Sequence, residues 1–245
     1  MLRVVISFFL LLASHSFALD LSKLSDKERA LFQKEIRLYI LENPEIIMEA
    51  VEVLRQKEQQ AAIQSDFDLV KNYKIAIFDD GYSFVGGNLN GDITLVEFID
   101  YKCGYCKKAH GEVEKLLSTD GNIRFIIKEF PILGEDSSKM SKFALAVKIV
   151  HGDKAYKVVH DILIKMKAAP STKAFDRIIN TLNLDKKLVQ DAMESLEVKG
   201  IIADTRNLAE KLKISGTPTF VMKDELIRGY VPFDALIEIV ANKRR

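Results

Sequence analysis

The chain holds only two cysteines in 245 residues, and they stand as Cys103-Gly104-Tyr105-Cys106. The residues before them, Ile93 to Ile99, read as a strand, and a helical pattern follows over about 104–117. A CxxC at the point where a strand hands over to a helix fixes much of what the chain can become. The first thiol then sits at a helix N-terminus, among backbone N–H groups that have no partner within the helix. Such a pair points to thiol-disulfide exchange.

Two other uses of the pair are weaker. Structural zinc takes four Cys or His ligands, and beyond the first 18 residues the chain offers His110, His151 and His160, no two of them at ligand spacing. No metal is expected on that ground. A purely structural disulfide across so short a loop removes only about 2 kcal/mol of unfolded-chain entropy, a staple that a chain of this size does not need.

The first residues, Met1-Leu2-Arg3, a mostly apolar run over 4–12 and then Ser16-Phe17-Ala18, read as a cleaved signal peptide over residues 1–18. The apolar run is far short of the roughly 20 residues that span a bilayer, and no Cys follows Ala18 to accept a lipid. Exported scaffolds held by disulfides carry several of them, so a single close pair reads as a reagent. The C-terminus, Asn242-Lys243-Arg244-Arg245, is no retention signal, which favours a bacterial periplasm. The chain has 36 basic against 35 acidic residues; the leader carries Arg3, so the mature charge is zero and neither nucleic acid nor an anionic membrane is expected as partner.

Residues 19–72 read as helical. Ser25 and Glu28 have the spacing of a capping box, with Phe32, Ile36, Tyr39 and Ile40 on one face, and Asn43-Pro44 opens a second helix carrying Ile47, Val51 and Leu54. A polar run over 55–60 interrupts the stripe before Ile63, Phe67 and Val70 resume it. Two helices enclose no core alone, so these faces bury against the rest of the chain or against copies of themselves; the polar interruption, read as a spacer, favours self-association. The Gly- and Asp-rich stretch 79–92 reads as turns. Strand (93–99), helix (104–117) and strand (122–130) then form a βαβ unit. Between 137 and 212 every periodic segment reads as helical, over 140–150, 155–166, 173–182, 186–194 and 198–212; strands return at 219–222 and 226–230, and a helix over 233–241 closes the chain.

Three segments in this order, Val96 to Lys107 around the CxxC, Lys128-Glu129-Phe130-Pro131-Ile132-Leu133-Gly134, and Gly216-Thr217-Pro218-Thr219-Phe220-Val221, resemble the DsbA family. The resemblance implies an α/β thioredoxin fold over residues 73–245, with a helical domain inserted at about 137–212. The segment Leu41-Glu42-Asn43-Pro44-Glu45 is similar to the oligomerisation region of the ScsC-like branch, which implies a homo-oligomer, a trimer, through residues 22–72.

Helix placement acidifies Cys103 as the attacking thiolate and leaves Cys106, one turn deeper, to resolve the mixed disulfide. Gly104 and Tyr105 tune the pair. The bacterial disulfide isomerases resemble this chain in carrying Gly-Tyr there, and the strongest oxidases of the family have a His that it lacks. The resemblance places Thr217 and Pro218 in a cis-proline loop facing the CxxC, where the Thr217 backbone pairs with extended substrate. An isolated Glu97 in an apolar strand is either turned to solvent or kept inside; by analogy with relatives it is a buried proton relay. His110 reads as an ordinary helix residue. The expected protein is a cofactor-free protein disulfide oxidoreductase or isomerase, with cysteine-containing clients and a membrane redox partner. The alternative is a non-catalytic chaperone or surface protein that retains the fold.

Overall fold

The structure, a computed structural model, describes residues 21–245, so the expected leader lies outside the described residues. The chain divides into two compact units, Met1–Glu58 and Gln59–Arg245. The division falls inside the polar run 55–60, earlier than the end of the helical region expected at 72.

In the first unit, a short 3-10 turn (Leu21–Lys23) precedes α1 (Asp26–Glu42), and α2 (Glu45–Asn72) begins. Ser25 and Glu28 form the expected capping box, with Ser25 N–H donating to Glu28 Oε2 at 2.8 Å and Glu28 N–H to Ser25 Oγ at 3.4 Å. Asn43 behaves differently from the expected cap of α2. Its Nδ2 donates to Tyr39 O at 2.8 Å, so the side chain closes the end of α1, where carbonyls lack helical partners. No α1 residue is buried, and Leu31, Tyr39, Met48 and Leu54 are each more than half exposed.

The second unit opens with the end of α2. Asp66 takes a two-pronged contact from Arg228 at 2.5 and 2.9 Å, and Val70 is buried with Ile77, Val96 and Phe98. After α3 (Lys74–Phe78) come β1 (Phe84–Gly87), β2 (Ile93–Ile99), α4 (Gly104–Asp120) and β3 (Ile123–Glu129). The helical insertion follows: α5 (Glu135–Lys165), kinked at Gly152, then α6 (Thr172–Thr181), α7 (Lys186–Met193) and α8 (Leu196–Lys211). β4 (Thr219–Met222), β5 (Glu225–Arg228) and α9 (Phe233–Arg244) complete the unit.

The sheet order is β1-β3-β2-β4-β5, with β2 and β3 parallel and the other pairs antiparallel. The thioredoxin fold with an inserted helical domain is therefore present as expected. Both faces of the central strands are covered, which is why they read as nearly unbroken apolar runs. Ile93, Leu95 and Ile99 on β2 and Ile123, Phe125 and Ile127 on β3 join α4, α5 and α9 in one core. Val96, Phe98 and Ile126 join Leu208 and Leu212 in another. Lys128 falls among the second set and is fully buried; its Nζ reaches Asp80 Oδ2 at 2.5 Å, so the charge is paired inside.

The stretch read as turns contains β1, an edge strand whose register runs from Phe84 opposite Ile127 to Gly87 opposite Arg124. Only Phe84 and Val85 carry strand propensity before the two glycines, too short a run to read as a strand; Phe84 anchors it, buried with its ring stacked on Tyr156 at 4.9 Å. Gly87 has φ +65, and a Cβ there would run into the Ile123 carbonyl. Gly87→Ala is expected to cost about 1–3 kcal/mol, read as a lower urea midpoint at unchanged m-value.

Candidate active site

The site is built where β2 ends. Asp100, fully buried, turns the chain into α4: its backbone carbonyl accepts from Cys103 N–H at 3.0 Å and its Oδ1 from Lys102 N–H at 2.8 Å. Its Oδ2 accepts from Ile132 and Leu133 N–H at 2.8 and 2.9 Å, tying the CxxC turn to the loop after β3. An Asp two residues before a backbone N–H that it can accept from is the local sequence signal of such an Asx turn.

Cys103 is the N-cap residue of α4, and both cysteines are free thiols, 8% and 1% exposed. The Cys103 thiol is pulled down to about 5, first by a hydrogen bond from the Cys106 thiol, with the Thr217 side chain and the N–H groups of Cys106 and Tyr105 adding to it; burial opposes them. Cys103 Sγ also lies 3.1 Å from the Thr217 carbonyl, a contact that only the protonated thiol can donate to and that the other donors outweigh. Cys106 moves the other way, well above the ordinary thiol range, because it donates to Cys103, is buried and lies near Glu97. The Thr217-Pro218 bond is cis.

Glu97 points into the core, 3% exposed. Burial, reinforced by the charges of Glu114 and Cys103, raises its carboxyl to about 8. Tyr105 is 64% exposed and a Cβ on Gly104 would meet nothing within 4 Å, so the residues between the cysteines face open space. The expected site residues Cys103, Cys106, Gly104, Tyr105, Glu97, Thr217 and Pro218 thus converge on the junction of β2, α4 and the start of β4.

A second buried group escaped the sequence reading. Glu129, at the end of β3, accepts from Tyr101 OH at 2.7 Å, Tyr156 OH at 2.6 Å and Ser141 Oγ at 2.6 Å. Burial raises it to about 7 against the pull of those three hydroxyls. Tyr101 OH also meets His160 Nδ1 at 3.1 Å. The hydroxyl partners come from α5 and from beside the CxxC, so only the folded topology reveals the cluster.

The Thioredoxin family model matches residues 79–242, about two thirds of the chain, and the model of the copper resistance protein ScsC N-terminal domain matches residues 28–61. The chain belongs to the thioredoxin family, and within it is DsbA/ScsC-like. A thioredoxin-like oxidoreductase from Silicibacter pomeroyi DSS-3 is 38% identical, with 69% of this chain and 96% of that one covered and a TM-score of 0.65. The thiol-disulfide exchange protein alpha-DsbA2 from Wolbachia pipientis is 29% identical, covering 74% and 97%, with a TM-score of 0.69. A linker-deletion mutant of Proteus mirabilis ScsC is 26% identical, covering 91% and 98%, with a TM-score of 0.67. The chain also matches 24% of the length of the Na(+)/H(+) antiporter NhaA 3 from Salinispora tropica, at 25% identity over 159 residues and 64% of this chain. It thus spans about a quarter of that curated relative.

The thiolate of Cys103 dominates above about pH 5 and is lost as pH falls through that value. Iodoacetamide labelling of the reduced protein is expected to rise with a midpoint near 5, with Cys106 unlabelled at neutral pH. A midpoint at the ordinary thiol value of about 8.5 would refute this electrostatic assignment.

Proposed function

We propose that this protein is an exported thiol-disulfide oxidoreductase that acts on cysteines of client proteins, with Cys103 as nucleophile and Cys106 as resolving thiol. The observation that carries this reading is the opposed ionisation of two thiols at one helix N-terminus, one down to about 5 and the other well above the usual range. That asymmetry supplies a thiolate and a held-back partner at neutral pH.

Acting as a reductant, the Cys103 thiolate attacks one sulfur of a client disulfide, forming a mixed disulfide and expelling the other client sulfur as a thiolate that takes up a proton. Cys106 then gives up its proton and attacks Cys103 Sγ, releasing the second client thiolate and leaving the Cys103–Cys106 disulfide. The client gains two electrons and the protein loses two; oxidation of a client dithiol is the reverse. Glu97, raised to about 8, is the proton acceptor for Cys106. The Thr217 carbonyl, 3.1 Å from Cys103 Sγ, places backbone beside the reacting sulfur, where an extended client can pair with it largely regardless of sequence.

Gly104-Tyr105 and the apolar faces of the N-terminal unit favour isomerase or reductase over net oxidase. In isomerisation the released client thiol attacks elsewhere in the client, and the protein leaves reduced; a membrane redox partner keeps it so. The leader over residues 1–18 directs it to the periplasm. Among the described residues no helix is long and apolar enough to cross a membrane.

Cys103→Ser is expected to abolish insulin reduction and the refolding of scrambled ribonuclease, and equal activity of the variant and the parent would refute the enzymatic reading in favour of a chaperone. In the same assays Glu97→Gln retains attack by Cys103 but slows resolution, and it removes the rise in the resolution rate that the parent shows as pH increases through about 8.

Self-association through residues 22–72, as a trimer, is supported by the exposed Leu31, Tyr39, Met48 and Leu54 and by the match to the ScsC N-terminal domain over residues 28–61. Light scattering on the mature chain is expected to return three times the protomer mass, falling to one on joint replacement of Met48 and Leu54 by Glu. A monomeric parent would refute the proposal.

A further inference from the structure

His110 lies one helical turn beyond Cys106 on α4, and His160 lies on the second half of α5. Fifty residues apart in sequence, they meet in the fold with ring centroids 5.4 Å apart. His110 is 8% exposed and its Nε2 is buried without a hydrogen-bond partner. That nitrogen lies 3.5 Å from Asp161 Oδ1, too far for a good hydrogen bond.

The chemistry around His160 is more specific. Glu129 as a carboxylate can only accept, so Tyr101 donates its proton there and its oxygen is left to accept from His160 Nδ1–H. The tautomer this fixes carries its lone pair on Nε2. A metal-binding histidine usually has its other ring N–H held by a hydrogen-bond acceptor, and here that acceptor is a hydroxyl anchored in turn on a carboxylate. One ligand atom from each of His110, His160 and Asp161 lies within 4.8 Å of the others. Tetrahedral zinc, with ligands at about 2.0–2.1 Å, needs ligand atoms roughly 3.3 Å apart, so the His110–Asp161 edge, at 3.5 Å, is near its final length and His160, whose ligand atom lies within 4.8 Å of the other two, has to close in by up to about 1.5 Å.

We propose that His110, His160 and Asp161 form a binding site for a borderline divalent metal ion such as zinc, linking the CxxC helix α4 to α5 of the helical insertion. Two imidazoles and one carboxylate suit zinc and its neighbours rather than magnesium or calcium. The sequence reading expected no metal because it sought ligands at close spacing; the topology supplies the pair that the spacing does not. Asp161 is one-third exposed, which gives an ion a way in. Lys157 Nζ now sits 2.8 Å from both carboxylate oxygens of Asp161, but it also lies 3.1 Å from Glu114, which can hold it once Asp161 turns to the ion. Three protein ligands leave a fourth position for water.

The test uses the full chain carrying Cys103→Ser and Cys106→Ser, so that the thiols do not compete. Zinc is titrated against a chromophoric chelator, and cobalt is added as a spectroscopic probe. One equivalent of zinc per chain and the intense visible bands of four-coordinate cobalt are expected. His110→Gln and, separately, Asp161→Asn each weaken zinc binding by at least about tenfold, whereas His151→Gln leaves it unchanged. Asp161 lies partly at the surface, so its variant keeps the core intact and circular dichroism verifies the fold. Absence of zinc binding in the thiol-free chain, or equal binding by the parent and by folded Asp161→Asn, overturns the proposal.

Discussion

The parallel pairing of β2 with β3 governs the rest of the molecule. Its register, Ile93 against Ile123 through Ile99 against Glu129, sets which side chains face which layer. Both layers are covered, so the period-two alternation of the strands has no solvent side on which to place polar groups. Glu97 and Glu129 therefore share the face occupied by Leu95, Ile99, Phe125 and Ile127, while Lys128 turns to the opposite layer with Asp80. A slip of β3 by one residue would send Glu129 to the other layer, away from its three hydroxyl partners, and part Lys128 from Asp80.

Burial then does the electrostatic work. Two carboxylates removed from water rise to about 8 and about 7, while Cys103, at a helix N-terminus and fed by hydrogen-bond donors, falls to about 5. The same α4 terminus that favours charge on Cys103 leaves Cys106 deeper, where its hydrogen bond to Cys103, burial and then Glu97 favour the thiol. Asp100 holds the turn between strand and helix, its carboxylate accepting backbone hydrogen bonds from the CxxC turn and from the loop after β3.

Much of this was legible in the sequence where local pattern and burial agree. β2 and β4 have the bounds expected from their apolar runs, α4 starts where the CxxC predicts, and the insertion was expected over 137–212 and is found between β3 and β4. β1 was not legible, because Gly86 and Gly87 advertise a turn while their backbone pairs with Phe125 and Arg124. Asn43 was read as opening α2 because that residue suits either helix end, and only geometry shows it reaching back to Tyr39. The partners of Glu129 and the meeting of His110 with His160 depend on how α5 lies against α4, which no spacing in the chain encodes.

The open space around Gly104 and Tyr105 bears on how such a protein can diverge. A side chain added at Gly104 meets nothing, and Tyr105 already stands mostly in solvent. Gly104 thus adds nothing to the core, and Tyr105 meets it only through a tilted ring contact with Tyr230, centroids 6.4 Å apart. A side chain at Gly104 therefore needs no compensating change in the core, so the surface between the cysteines and the packing that folds the chain can diverge almost independently.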